Sequence, residues 1–237
     1  MLSFIIPAYN EERELGGCLR SIHRAARAVG LPYEVIVVDD ASTDRTADIA
    51  QEHEARVVRV EKRQIAAVRN AGAKTAIGDV FIFVDADTQI SAATVRAALW
   101  AIKHGAVGGG ASVRFDGVIP FGSRCYISLF MAIWWPLNLA AGCFVYATRR
   151  AFEAVGGFDE RYFAGEEVWL SRALHAQGKF VVVRPAVVTS ARKLRMYSGG
   201  QLFWLLFKCA AGGPKMVQQR EGLELWYDGR REVPDQA

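Results

Sequence analysis

Closely spaced cysteines are absent from this 237-residue chain. Its four, Cys18, Cys125, Cys143 and Cys209, stand far apart and never form Cys-x-x-Cys, which argues against a zinc site and a disulfide framework and makes a reducing compartment the default. Histidine is scarce too. His23, His53, His104 and His175 lack metal-ligand spacing, and each falls in a helical pattern where surface or helix-end roles are favoured. There is no strong charge of one sign: the formal net charge is +4 with acids and bases interspersed, so a nucleic-acid partner has no electrostatic footprint, while small anionic ligands fit. The segment after the first apolar run carries no Gly-x-Gly-x-x-Gly, which excludes a dinucleotide-dependent dehydrogenase. Met1 to Pro7 has no basic leader and reads as a strand, so no export is expected. Repeats and low-complexity tracts are missing as well.

What the sequence does have is an apolar majority, 51% against 23% charged, and a recurring acidic strand tip. Val80 to Val84 are apolar without alternation, the pattern of a strand buried on both faces, and they stop at Asp85-Ala86-Asp87. Ligands of open α/β sheets bind at strand carboxyl ends, where paired oxygen ligands suit a hard cation such as Mg2+ or Mn2+ carrying phosphate oxygens. Asp is also a common residue of strand-ending turns. Phe4 to Ile6 predicts a first strand, followed by Asn10 as a helix cap with Glu11 and Glu12 in the first turn. Glu34 to Asp40 repeats the theme, ending in Asp39-Asp40, with Ser42 or Thr43 capping a helix to about His53. A third strand over Val57 to Val60, a helix closed by Gly78, and a helix from Ser91 to Gly105 continue the alternation. The pattern predicts a Rossmann-like, doubly wound α/β fold with a mostly parallel sheet. Its crossovers would gather Tyr9, Glu11, Asp39, Asp40, Asp85 and Asp87 on one rim, where like charges repel unless a cation sits among them.

Beyond Gly105 the alternation weakens. Ala106 to Phe115 reads as a strand whose Gly108-Gly109-Gly110 opens onto a flexible connection. Cys125 to Thr148 has no charged residue, and three readings stay open: a membrane span, a core helix plus strand, or a membrane-facing or lipid-facing surface. Pro136 and Asn138 interrupt it, and Cys143 to Tyr146 looks like a separate strand. A short helix over Arg150 to Val155, a turn at Gly156-Gly157, a helix opened by Gly165-Glu166-Glu167, and a last strand over Lys179 to Val183 follow. Ser190 to Arg195 is a basic loop, Gly200 to Ala211 a second apolar helix, and Glu221 to Ala237 a polar end that drapes over the surface or frays.

Five motifs in order carry a resemblance to family 2 glycosyltransferases, whose fold is called GT-A. They are Pro7-Ala8-Tyr9-Asn10-Glu11, Val38-Asp39-Asp40-Ala41-Ser42-Thr43-Asp44, Ala67-Val68-Arg69-Asn70-Ala71-Gly72, Asp85-Ala86-Asp87, and Gly156-Gly157-Phe158-Asp159-Glu160 leading to Gly165-Glu166-Glu167. The resemblance covers roughly the first 190 residues. It implies transfer of a sugar from a nucleotide diphosphate donor, usually with inversion, and a Mg2+ or Mn2+ cofactor. It further implies that Pro7, Ala8, Tyr9 and Glu11 line the nucleotide pocket, that Asp40 contacts the base, and that Arg69 lies near base and diphosphate. Asp85 and Ala86 belong to the same donor site, with Asp85 serving ribose or metal and Asp87 holding the ion. The family's base is usually the Asp of a Glu-Asp pair; here Glu166-Glu167 stands in its place, and Glu167 is the implied base with Glu166 beside it. Lys62-Arg63-Gln64-Ile65 replaces a glycine-containing turn common in the family. The Gln-x-x-Arg-Trp signature of processive members is missing, which favours single-sugar transfer.

Residues 1–105 are thus expected to form the nucleotide-sugar half, 106–195 the acceptor and catalytic half, and 196–237 an apolar helix and polar tail. Arg192, Lys193 and Arg195 are candidates for a donor diphosphate or an acceptor phosphate, or else a solvated face. The expected partners are a UDP-sugar and an acceptor hydroxyl on a hydrophobic or lipid-linked molecule. The expected location is the cytoplasm, with peripheral contact to the inner membrane face as the further option. Two rivals are a nucleotidyltransferase of related fold, which lacks support because no glycine-rich basic loop follows the first strand, and a catalytically silent membrane-associated binding protein.

Overall fold

A computed structural model describes residues 1–125, 127, 137–198, 200, 201, 203, 204, 208, 213 and 216–223. Strands are β1 (Leu2–Ala8), β2 (Tyr33–Asp40), β3 (Arg56–Val60), β4 (Val80–Val84), β5 (Thr88–Gln89), β6 (Ala106–Phe115), β7 (Phe144–Thr148) and β8 (Lys179–Thr189). Helices are α1 (Leu15–Val29), α2 (Thr46–Glu52), α3 (Ile65–Thr75), α4 (Ala92–Lys103), α5 (Arg149–Ala154), α6 (Glu166–Gln177) and α7 (Arg192–Met196). One sheet holds all the strands in the order β3-β2-β1-β4-β7-β6-β8-β5. β1 pairs in parallel with β2 and β4, and β2 with β3, so Ala8, Asp40 and Val84 end on one edge. β7 runs antiparallel to both β4 and β6, which makes the sheet mixed.

Alternate residues of the central strands feed two cores. Phe4, Ile6, Val37, Ile82 and Val84 pack on the side of α1 and α4, whereas Ile5, Ile36, Val38, Phe81 and Phe83 pack on the side of α3, α5 and α6. Burial on both faces is why these strands read as unbroken apolar runs. In the second core Phe83 meets Phe158 edge to face at 4.9 Å, joining the turn before α6 to the sheet.

Several expected boundaries shift. Asn10 does not cap a helix: its backbone is left-handed at φ 53°, and its Oδ1 accepts from Thr43 N–H at 2.8 Å while its own N–H reaches Ser42 Oγ at 3.0 Å. That exchange ties the loops after β1 and β2 together, so α1 starts only at Leu15 and α2 only at Thr46, whose N–H is taken by Asp44 at 2.9 Å. Ser91 does cap α4, accepting from Thr94 N–H at 3.2 Å. The triple glycine is the middle of β6 rather than its frayed end, because a Cβ on Gly109 would overlap the Val181 carbonyl and the Tyr146 hydroxyl. β8 runs on to Thr189, beyond the expected Val183, and the basic segment after it forms the short helix α7. Residues 126 and 128–136 of the charge-free stretch, much of the run expected as a helix over Gly200 to Ala211, and residues 224–237 lie outside the described residues. Among the described residues no helix is long and apolar enough to cross a membrane.

Candidate active site

Arg69 is the hub of the site. It sits on α3 with 1% of its surface exposed, donating from Nη1 to Glu166 Oε1 at 2.5 Å and from Nη2 to Asp85 Oδ1 at 2.7 Å and the Gly142 carbonyl at 2.8 Å. Burial works against its charge, but the two carboxylates outweigh that and raise its pKa. A buried guanidinium thus couples the acidic tip of β4 to the start of α6. Its Nε has no hydrogen-bond partner among the described residues.

The neighbouring Asn70 fixes where α6 begins. Its amide donates to the Phe158 carbonyl at 2.8 Å and to Glu160 Oε1 at 2.9 Å, while its Oδ1 accepts from Phe158 N–H at 2.9 Å. Gly157 is left-handed at φ 79°, and a Cβ there would come within 2.7 Å of Asn70 Oδ1, so the turn needs glycine twice over. Gln64 adds hydrogen bonds to the Glu160 and Tyr162 carbonyls. The Arg-Asn pair and the Gly-Gly-Phe-Asp-Glu motif are therefore halves of one joint.

That joint delivers Glu166 and Glu167 to the first turn of α6. Glu166 is 4% exposed and spends its carboxylate on Arg69. Glu167 lies beside Gly142, whose added Cβ would sit 3.4 Å from the Glu167 carboxyl carbon. Burial pushes both carboxyls up; Arg69 opposes this for Glu166 by direct contact, whereas Glu167, with the Glu166 charge beside it, reaches about 8.

Asp87 lies on the same rim, at the end of the turn after β4. Its Oδ1 accepts from Thr189 Oγ1 at 3.3 Å and Thr88 Oγ1 at 3.4 Å, and its Oδ2 lies 3.1 Å from Arg192 Nη2. The Arg192 guanidinium also grips Glu11 with two bonds of 2.6 Å. Burial pushes the Asp87 carboxyl up to about 6, with Asp85 and Glu11 adding to the rise against Arg192. Burial also holds the Lys193 ammonium below the ordinary lysine value.

The remaining candidates flank this rim. Asp40 accepts from Lys62 N–H at 2.6 Å and Arg63 N–H at 2.8 Å, so it shapes the loop after β3. Arg63, left-handed at φ 53°, places its guanidinium 4.4 Å from the centre of the Tyr9 ring. Ala8 and Ala86 have their side chains in the first core, so they offer a ligand only main-chain atoms, and Pro7 is half-buried beside Val38 in the register. Sequence reading did not foresee the Gly142 carbonyl, the Thr189 hydroxyl or the Glu11–Arg192 pair; Arg69 and the basic run at 192–195 were the cations it signalled near the acids. Asp85, Asp87 and Glu11 supply oxygen donors alone and already pair with cations, Asp85 with Arg69 and both Asp87 and Glu11 with Arg192, which fits a hard divalent ion. Among the described residues, no group of three or more His, Cys, Asp or Glu is arranged to hold a metal ion by itself.

Residues 3–153 match the sequence model of the family described as glycosyl transferase family 2. A dolichol-phosphate mannosyltransferase of Pyrococcus furiosus is 38% identical over 109 residues, 44% of this chain and 30% of that protein. The chain thus spans about 30% of the length of the curated relatives it matches. Among solved structures, a mannosyltransferase from Pyrobaculum calidifontis in complex with GDP-Man and Mn2+ superposes with a TM-score of 0.67 at 19% identity, covering 98% of this chain and 65% of that one. TarS 1-349 of S. aureus in complex with UDP-GlcNAc gives 0.62 at 20% identity, covering 81% and 58%.

Proposed function

The chain belongs to glycosyl transferase family 2, and from that premise we propose that it moves one sugar from a nucleotide diphosphate donor to an acceptor hydroxyl, with inversion at the anomeric carbon. The observation that carries this is Glu167: a half-buried carboxyl on the site rim, next to the Arg69–Glu166–Asp85 cluster, whose elevated pKa suits a general base near neutral pH. Glu167 takes the acceptor proton as the hydroxyl oxygen attacks. Arg69 holds Glu166 and Asp85 in place by direct contact, so that Glu167 is the carboxyl of the pair left to accept a proton. Tyr9 and Arg63 frame the base, and Asp40 acts through the loop it holds. Asp87, with Asp85, would hold a Mg2+ or Mn2+ ion. That ion, when bound, supplies charge stabilisation for the departing nucleoside diphosphate. A UDP-sugar is the donor we favour; the S. aureus structure with UDP-GlcNAc and the P. calidifontis structure with GDP-Man and Mn2+ frame the choice.

A hydrophobic, lipid-linked acceptor, with peripheral attachment to the inner face of a membrane, is supported by Val118 and Phe121, 86% and 80% exposed, and by the similarity to a dolichol-phosphate mannosyltransferase. That similarity also favours a second reading, in which a lipid phosphate is itself the nucleophile. An anionic phosphate oxygen needs no base, so the two separate on one variant. Glu167→Gln should sharply lower transfer to a hydroxyl acceptor and leave transfer to a polyprenyl phosphate nearly intact. A thermal-shift panel of UDP- and GDP-sugars with and without Mn2+ tests the donor; stabilisation by none of them would refute the assignment.

A further inference from the structure

Arg192 stands between Asp87, proposed above to hold the metal, and Glu11. It follows β8 by three residues, and its guanidinium bridges Glu11 at 2.6 Å through both nitrogens and Asp87 at 3.1 Å. All three side chains are 10–16% exposed. The backbone beneath it is pinned: Ser190 N–H donates to the Asp87 carbonyl at 3.2 Å, and Ala191 N–H to Asp116 Oδ1 at 2.7 Å. The side chain can therefore change partners while the segment stays put.

We propose that Arg192 is a built-in counter-cation of the donor site, holding Glu11 and Asp87 when no donor is present and opposing a divalent ion there until a diphosphate arrives to accept both cations. This rests on the metal reading of Asp87 given above. A divalent ion on Asp87 would face the guanidinium at close range, and like charges so placed disfavour each other. Phosphate oxygens remove the conflict, because they bind the metal and give Arg192 a bidentate anion to replace Glu11. Metal and nucleoside diphosphate should then bind with strong positive coupling, and each alone should bind weakly. Arg192 is in this sense a positioning residue, acting on the metal through Asp87 and Glu11.

The test is Mn2+ binding followed by electron paramagnetic resonance, with and without UDP or GDP, on the full chain. Arg192→Ala should bind Mn2+ alone at least ~10-fold more tightly than the parent, and the nucleotide should then improve Mn2+ affinity less than it does in the parent. Arg195→Ala removes a cation of the same helix that pairs with Asp116 at 3.3 Å, and should change Mn2+ affinity by no more than about twofold. Arg192→Lys, which cannot fork onto two carboxylates, should fall between, and it carries the test if the alanine variant does not fold. Equal Mn2+ affinity in parent and Arg192 variants, lost on Asp87→Asn, would overturn the inference and leave the metal site standing. Equal tightening by Arg195→Ala would also overturn it. Absence of Mn2+ binding in every protein, nucleotide included, would remove both the inference and the metal reading.

Discussion

Removing the guanidinium of Arg69 is the perturbation with the largest expected effect on the folded state. Arg69→Met keeps most of the buried stem but strips Glu166 of its 2.5 Å partner, Asp85 of its 2.7 Å partner and the Gly142 carbonyl of its 2.8 Å donor. Glu166, 4% exposed, is then a buried carboxylate without a counter-ion. Breaking one side of a buried ion pair costs about 3–5 kcal/mol, and at roughly 2–4 °C per kcal/mol for a chain of this size the melting temperature should fall by roughly 6–20 °C. The sign of its pH dependence follows from linkage. In the variant Glu166 holds a proton in the folded state above the ordinary carboxylate pKa, while the unfolded chain releases it. Stability of the variant therefore drops as pH rises from about 4.5, and the gap to the parent should be smallest near pH 5 and widest near pH 8. Arg69→Met/Glu166→Gln should recover a substantial part of the loss, because the uncompensated charge is gone. Thermal melts of the parent, both single variants and the double variant at pH 5 and pH 8 measure this. A fall below about 3 °C, or a double variant no better than Arg69→Met alone, would refute the view of Arg69 as the charge that keeps the acids buried.

Glu167→Gln should lower turnover on a hydroxyl acceptor by roughly 10²–10⁴-fold while donor affinity, read by thermal shift, changes little. In the parent, kcat/KM on that acceptor should rise with pH through about 8, since the base works only when deprotonated, and the residual rate of Glu167→Gln should lose that limb. The same elevated pKa makes the folded protein hold a proton that the unfolded chain lacks between about 4.5 and 8, so parent stability should fall across that window more steeply than that of Glu167→Gln. Asp87→Asn should abolish the Mn2+-dependent part of the donor-induced thermal shift; an undiminished metal effect would move the ion elsewhere. Gly109→Ala, which forces a Cβ into the Val181 carbonyl and the Tyr146 hydroxyl, should cost about 3 kcal/mol, seen as a drop of roughly 6–12 °C.

The central sheet was legible because its chemistry is local. Five apolar residues ending at Asp85 cannot be half-exposed, and Phe81 and Phe83 do face one core while Ile82 and Val84 face the other. Parallel pairing of β1, β2 and β4 then follows from the strand–helix alternation and brings their tips to one edge. The starts of α1 and α2 were misjudged for a tertiary reason: Asn10, Ser42 and Thr43 have capping chemistry, but they use it on one another across two loops. The triple glycine looked like slack because composition cannot distinguish a glycine that moves from one that leaves room for a tyrosine.

The site divides along the same line. Its acids were visible as strand tips, each within a few residues of the apolar run that places it. Its cations were named, Arg69 through the family resemblance and Arg192 through the basic run, but their partners were not, because these arginines act across gaps of 97 and 181 residues in sequence, to Glu166 and Glu11 respectively. Acids at strand ends are fixed by the sheet; arginines that neutralise them come from a helix on one face and from the segment following the last strand. Glu167 is the carboxyl this arrangement leaves over. Arg69 is committed to Glu166 and Asp85, Arg192 to Glu11 and Asp87, and so Glu167 is the acid of the pair at the head of α6 that meets no guanidinium among the described residues, with burial and the neighbouring Glu166 charge raising its pKa to about 8. An exchange of those commitments, for instance by Glu166→Gln freeing Arg69 to reach Glu167, should lower the Glu167 pKa and move the rising limb of the rate profile to lower pH. Finding that limb unmoved would mean that the base is held by something other than this division of charge.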